Sequence, residues 1–260
     1  MHCLHMSGAG NDFMVIDARG KEAELNFEKM AVELCAKTGA DGFMAVGQSQ
    51  TADFRLHFYN SDGSRGEMCG NGARCICKFA YDHGIAGEAM TVQTDAGLVS
   101  GWRIGENLYR IRLNNPSILD LCRREDAVYV ELGSPGIPHS VTQLPHLNWE
   151  MADMLRTKAK QLRFAPEYPK GANVNFYTWT TDHSVRILTY ERGVEDYTLA
   201  CGTGCGSTAA VLWTQGKLPG GKLTLENKGG TLYVTVVGQN GQIEQLILEG
   251  PAEVFESYEI

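Results

Sequence analysis

Two short stretches of this chain read as copies of one device, and that duplication limits what the chain can fold into more than any other feature. The first runs Cys69-Gly70-Asn71-Gly72 into Ala73-Arg74-Cys75-Ile76-Cys77-Lys78-Phe79. The second runs Cys201-Gly202-Thr203-Gly204 into Cys205-Gly206-Ser207-Thr208-Ala209-Ala210-Val211. Each follows a strand-like run that holds an arginine and a tyrosine at the same spacing, Arg55 with Tyr59 and Arg186 with Tyr190. The arginine precedes the cysteine by 14 residues in one copy and 15 in the other. A repeat on this scale predicts two similar domains, residues 1–120 and 121–260, with the boundary near 115–133 and the active site in the cleft between them.

The local chemistry of the device is specific. A cysteine just ahead of a Gly-x-Gly turn that opens a helix sits where backbone N–H groups and the helix dipole favour negative charge, so both sulfurs are expected to be primed as thiolates. The glycines let an anion approach the backbone, and N–H groups at a helix start bind a carboxylate. Two such cradles facing one carbon supply a base on one side and an acid on the other, as inversion of a stereocentre requires. The residues therefore point to an amino-acid racemase or epimerase, with Cys69 and Cys201 as the acid–base pair.

The segments after the cysteines also bear on fold. Gly206 to Trp213 carries no charge and 73–81 is only slightly more polar, so each helix is expected to be buried all round. Short strands are plentiful enough to cover them: 53–59, 91–94, 98–104, 108–113, 128–132, 171–177, 185–190, 222–226, 231–237 and 242–248 all carry strand signals. The expected class is α+β, each half a curved antiparallel sheet wrapped around a central helix. Further helices are expected at 27–38, capped by Asn26, stopped by Gly39 and packed through Met30, Leu34 and Cys35, and at 150–161, mostly solvated.

A net charge of −8 without a dense basic run argues against nucleic acid as a partner. The first residues lack the pattern of a secretory signal, and no apolar run is long enough to span a bilayer, so a cytoplasmic protein with no membrane partner is expected. Eight cysteines then read as thiols, not as a disulfide framework. Cys75 and Cys77 are two apart on a helix and do not face each other, and no Cys-x-x-Cys pair exists, so neither a metal site nor a redox centre is expected. No dinucleotide fingerprint, phosphate loop or pyridoxal lysine context appears, so no cofactor is expected and the site itself must stabilise the carbanion.

Single residues admit two readings each. Asn11 closes a glycine turn and either bonds its own backbone or holds a polar substrate group. His139, in a Gly-x-Pro-His turn, is either a solvated loop histidine or a residue that orients or deprotonates a cysteine. Glu191-Arg192 is either a surface ion pair or a carboxylate clamp beside the second cysteine.

Taken together, Ser7-Gly8-Ala9-Gly10-Asn11-Asp12-Phe13, Tyr59-Asn60 with Asp62-Gly63-Ser64, Cys69-Gly70-Asn71-Gly72-Ala73-Arg74-Cys75, Pro138-His139, Asn173-Val174 and Glu191-Arg192-Gly193 through Cys201-Gly202-Thr203-Gly204 resemble the diaminopimelate epimerase family. The resemblance implies a cofactor-independent two-base enzyme acting on LL- and meso-2,6-diaminopimelate, in lysine and cell-wall synthesis, and a fold of two similar domains. It also implies that His139 and Glu191 activate Cys69 and Cys201. By the same resemblance Gly70, Asn71, Gly202 and Thr203 bind the reacting carboxylate, while Asn11, Asn60, Asn173 and Arg192 hold the rest of the substrate. Two positions depart: Ile137 stands where many members have asparagine, and Gly42 where some have glutamine, which weakens selection for a second amino-acid head group. Histidine or another single-headed amino acid is the alternative substrate, and a catalytically silent amino-acid-binding protein the alternative class. A homodimer is one arrangement the chain admits.

Overall fold

The computed structural model describes residues 1–66 and 69–260; Glu67 and Met68, which lead into the first cysteine, lie outside the described residues. In chain order the elements are β1 (His2–Ser7), β2 (Asp12–Asp17), α1 (Phe27–Thr38), β3 (Gly42–Gly47), β4 (Phe54–Asn60), β5 (Arg65–Gly66), α2 (Gly70–Asp82), β6 (Ala89–Thr94), β7 (Gly97–Arg103) and β8 (Leu108–Leu113). They continue as β9 (Pro116–Asp120), β10 (Val128–Leu132), β11 (Ile137–Gln143), α3 (Ala152–Arg163), β12 (Asn173–Thr181), β13 (Ser184–Glu191) and β14 (Asp196–Tyr197). Last come α4 (Gly202–Thr214), β15 (Lys222–Asn227), β16 (Gly230–Gln239), β17 (Gln242–Pro251) and β18 (Glu253–Glu259). The chain divides into two compact units, Met1–Arg112 with Glu249–Ile260, and Leu113–Leu248. The architecture is α+β and dominated by strands.

In the first unit β1 pairs antiparallel with β2, and β2 runs parallel to β3 across α1. β3 pairs antiparallel with β4, β5 folds back on β4, and after α2 the chain returns as β6, parallel to β4, then meanders through β7 and β8. The second unit repeats that order: β10 with β11, β11 parallel to β12 across α3, β12 with β13, β14 on β13, and β15 parallel to β13 after α4. The far side of β10 is covered by β9, and the corresponding side of β1 by β18, the last strand of the sequence. The amino group of Met1 donates to the Ile260 carbonyl, and Ile260 N–H returns a bond to Met1 O at 2.9 Å.

The repeated arginine and tyrosine are structural. Arg55 reaches Asp95 (3.1 Å) just past β6, and Arg186 reaches Glu226 (3.0 Å) on β15, so each ties its strand to the parallel strand beside it. These pairs are partly exposed and contribute about 1 kcal/mol or less each. Tyr59 packs on the core formed by Phe27, Phe43, Met14 and Ile16, and Tyr190 lies in the core of Val174, Phe176, Leu188 and Leu162.

Helix α1 begins where the Asn26 side chain accepts from Lys29 N (3.0 Å) and ends at Gly39, whose φ of 78° takes the left-handed turn that a glycine adopts without strain. Its buried stripe is Phe27, Ala31 and Cys35, with Met30 and Leu34 on the flank, so the inward face is rotated from the one read off the sequence. α3 buries only Ala159 and Leu162. α2 is buried from Gly70 to Ala80 and packs on β1, β2, β3 and β7; α4 is buried almost continuously from Gly202 to Leu212 and packs on β10, β11, β12, β15 and β16. Both helices begin at the residue after their cysteine.

His139 corrects an expectation. It lies within β11, fully buried, not in a solvated turn, because the chain needs β11 as the link between antiparallel β10 and parallel β12. Pro138 is tolerated there one residue into the strand. The turn signals belong to 133–136, with Gly133 at φ 88°.

Candidate active site

The two cysteines occupy the same backbone position. Cys69 caps α2 at φ −124°, ψ 125°, and Cys201 caps α4 at φ −122°, ψ 109°. Both are extended residues ahead of a helix whose first N–H groups have no intrahelical acceptor, so each stands at an anion-favouring end.

In the first unit a chain of side-chain amides surrounds that end. The buried Arg74 guanidinium donates to Asn71 Oδ1 (3.0 Å), Asn71 Nδ2 donates to Asn11 Oδ1 (2.5 Å), and Asn11 Nδ2 donates to Asp41 Oδ2 (3.2 Å). A cation at one end and a carboxylate at the other fix the orientation of both amides. The loop before β2 comes close enough for this only because residue 8 is glycine: a Cβ there would lie 2.7 Å from Asn71 O and 3.1 Å from Cys75 Sγ. Asn60 is not part of this chain; its amide donates to Ser64 Oγ (2.9 Å) in the turn after β4. Gly42, opposite Asn60 in the β3–β4 register, has no room for a side chain, since a Cβ would meet Tyr59 O at 2.8 Å and the Phe58 ring at 2.9 Å.

In the second unit the Cys201 sulfur accepts from Gly204 N (3.4 Å) and lies 3.5 Å from Thr203 Oγ1. These donors lower its pKa, but burial raises it more and the charge of Glu191 adds to burial, so the Cys201 thiol ends well above its ordinary value. At Cys201 desolvation outweighs the start of the helix, so burial favours the thiol over the thiolate. Glu191 itself accepts from Thr198 Oγ1 (2.6 Å) at the end of β13. Cys75 and Cys77 are buried thiols pushed up to about 12 by desolvation. Cys75 faces the Gly8 loop and Cys77 faces Gly101 on β7, so their sulfurs diverge.

Strand register brings the remaining candidates together. His139 lies opposite Asn173 in the β11–β12 pair, and Val174 opposite Tyr190 sets the end of β13 alongside. Asn173 Nδ2 donates to Pro138 O (3.1 Å) and its Oδ1 accepts from Arg192 N (2.9 Å), so its side chain fastens the two neighbouring strands. The exposed Arg192 donates to Lys170 O (3.0 Å). His139 Nδ1 lies 3.2 Å from Asn175 Nδ2, and His139 Nε2 has no hydrogen-bond partner among the described residues. Burial, with a smaller contribution from the Arg192 charge, pushes the imidazole down to about 3, so it is neutral.

Sequence reasoning missed Arg74, Asp41, Asn175 and Thr189. Arg74 carried a signal, as a cation inside an otherwise buried helix. Asn175 could be suspected from Asn173, since alternate residues of a strand share a face.

The family model described as diaminopimelate epimerase matches residues 3–110 and 132–254. The diaminopimelate epimerase of Chlorobaculum tepidum is 36% identical over 252 residues, covering 95% of this chain and 96% of the relative, and that of Archaeoglobus fulgidus is 33% identical over 88% and 87%. Among solved structures, a phenazine biosynthesis protein of the PhzF family from Bacillus anthracis superposes with a TM-score of 0.74 at 16% identity, covering 100% of this chain and 98% of that one. A hydroxyproline epimerase from Agrobacterium vitis does so at 0.73 and 14%, covering 100% and 90%. These two share the fold. Matched in both halves by the family model, and more than 30% identical to relatives over nearly its whole length, the chain belongs to the diaminopimelate epimerase family.

Proposed function

We propose that this protein is a cofactor-independent epimerase that interconverts LL- and meso-2,6-diaminopimelate, with Cys69 and Cys201 as its two acid–base groups. The observation that carries the reading is the recurrence of one extended, helix-capping cysteine at matching positions of two repeated units, in a chain of this family. In the forward step the Cα–H bond breaks as one sulfur takes the proton. The electron pair delocalises into the carboxylate, and the S–H bond of the other cysteine breaks as its proton goes to the opposite face. In each substrate complex one cysteine is a thiolate and the other a thiol, and the stereoisomer bound sets which is which. The roles reverse in the return direction. N–H groups of Gly70, Asn71, Gly202 and Thr203 at the helix starts are the donors for the carboxylate as charge moves onto it. Reaction demands both sulfurs within about 3 to 3.5 Å of the α-carbon, on opposite faces. A cytoplasmic homodimer is part of the same proposal.

The test is α-proton exchange in deuterated water across a panel of amino acids. Deuterium should enter LL- and meso-diaminopimelate, and Cys69→Ala and Cys201→Ala should each lose at least about 100-fold in turnover. Labelling of histidine but not diaminopimelate would transfer the reaction to the alternative substrate. Binding without any labelling would make the protein a binding module, and retained turnover in either variant would end the two-base mechanism.

A further inference from the structure

We propose that Asn175 is a positioning residue that fixes His139 as the neutral imidazole with its proton on Nε2, making His139 a hydrogen-bond donor to an anion in the site and not a base. The proposal rests on the reading of His139 as a partner in the cysteine chemistry. Asn175 is fully buried on β12, and its amide is pinned from three directions. Its Oδ1 accepts from Thr189 Oγ1 on β13 at 3.0 Å, and its Nδ2 lies 3.1 Å from the Ser140 carbonyl oxygen and 3.2 Å from His139 Nδ1. A carbonyl oxygen only accepts, so the amide atom facing Ser140 is the NH2 group, and that same nitrogen faces Nδ1. Nδ1 therefore accepts, and the proton of the neutral ring is on Nε2.

A further restraint is the first turn of α4. A Cβ at residue 204 would lie 2.2 Å from Asn175 Oδ1 and 3.2 Å from Thr189 Oγ1, so the amide oxygen is seated directly against Gly204, whose N–H reaches the Cys201 sulfur. Rotating the amide by half a turn would set its oxygen against the Ser140 oxygen, which is repulsive. Full protonation of the ring would set Nδ1–H against the Asn175 NH2 group, and burial opposes it as well. Nε2 is buried and has no partner among the described residues, so its N–H is the group left to meet a ligand or thiolate. Nothing in this arrangement lets Nε2 take a proton from a thiol while Nδ1 is held as an acceptor.

The test reads the ring directly. In full-length protein labelled with 15N-histidine, long-range proton–nitrogen correlation near neutral pH should show His139, assigned by its loss in His139→Gln, with a protonated, pyrrole-like Nε2 and an unprotonated, pyridine-like Nδ1. Asn175→Asp places a carboxylate at Nδ1, so the ring proton should move to Nδ1, and kcat on diaminopimelate should fall about 100-fold or more with KM little changed. If the aspartate variant does not fold, Asn175→Ser should give a mixture of tautomers and an intermediate kcat. A wild-type His139 that is Nδ1-protonated or an imidazolium overturns the proposal. So does an Asn175→Asp protein that loses activity with the Nε2–H ring unchanged, since that is a purely structural effect. An Nε2–H ring in a wild-type protein that exchanges no amino-acid α-proton supports the placement of the proton and removes only the proposed reaction.

Discussion

Gly72 and Gly204 occupy the same place in the repeat, three residues after each cysteine, yet their surroundings predict opposite responses to alanine. At Gly204 a new Cβ would sit 2.2 Å from Asn175 Oδ1, where ordinary contact begins near 3.4 Å. The amide has to retreat by more than an ångström, and its bonds to Thr189 (3.0 Å) and His139 (3.2 Å) cannot both survive that movement. Overpacking costs about 1 to 3 kcal/mol, a stranded buried polar group costs about 1 to 3 more, and alanine's better helix propensity returns about 1, leaving a loss of roughly 1 to 5 kcal/mol. At Gly72 the nearest atoms are Met44 Sδ (3.1 Å), Phe13 Cζ (3.4 Å) and Cys69 Cβ (3.6 Å). A thioether yields by a few tenths of an ångström, so the helix-propensity gain offsets the strain and the net change stays within about 1 kcal/mol. Thermal unfolding of Gly72→Ala and Gly204→Ala beside the wild type is the assay, and at about 2 to 4 °C per kcal/mol the second variant should melt lower by about 2 °C or more, and by clearly more than the first. Equal shifts for the two variants, or a Gly204→Ala protein as stable as wild type, would refute the reasoning from close approach.

Two further outcomes follow from the buried titrating groups. His139 is held neutral down to about pH 3, so below pH 6.5 the unfolded chain binds a proton that the folded chain does not, and stability rises with pH from about 3 to 6.5 and falls on acidification through that window. Between pH 6.5 and 4.5 this amounts to at most about 2 to 3 kcal/mol, read as the part of the urea-midpoint pH slope that His139→Gln removes; identical slopes would contradict it. Iodoacetamide near neutral pH should label the exposed Cys122 first, while Cys75 and Cys77 stay protected until the protein is unfolded, as peptide mass spectrometry would show; early labelling of either would contradict their being buried thiols.

Much of the molecule was legible because it is written twice. The Arg-x-x-x-Tyr runs and the cysteine turns gave β4, β13, α2 and α4 directly, and the alternating patterns gave most of the hairpin strands. β3 escaped because it is buried on both faces and shows no alternation, and β11 because Pro138 and the turn at 133–136 mask a short internal strand. At the site the cysteines were legible from their glycines, but the state of Cys201 was not: a helix start is visible in sequence, whereas the desolvation that opposes it depends on what covers the sulfur. Asn173 illustrates the same limit. Its position was legible, but its bonds to Pro138 O and Arg192 N come from strand register that no local pattern encodes.

The place of β18 beside β1 has a consequence for biogenesis. Every residue of 113–248 must be synthesised before the strand that finishes the opening sheet exists, so during translation the amino-terminal portion waits with one border of β1 uncovered while the later portion can already close with its own β9. On a ribosome the second-made half is therefore the first that can mature, and the open border of β1 is where a nascent chain would be most prone to pair with a neighbour.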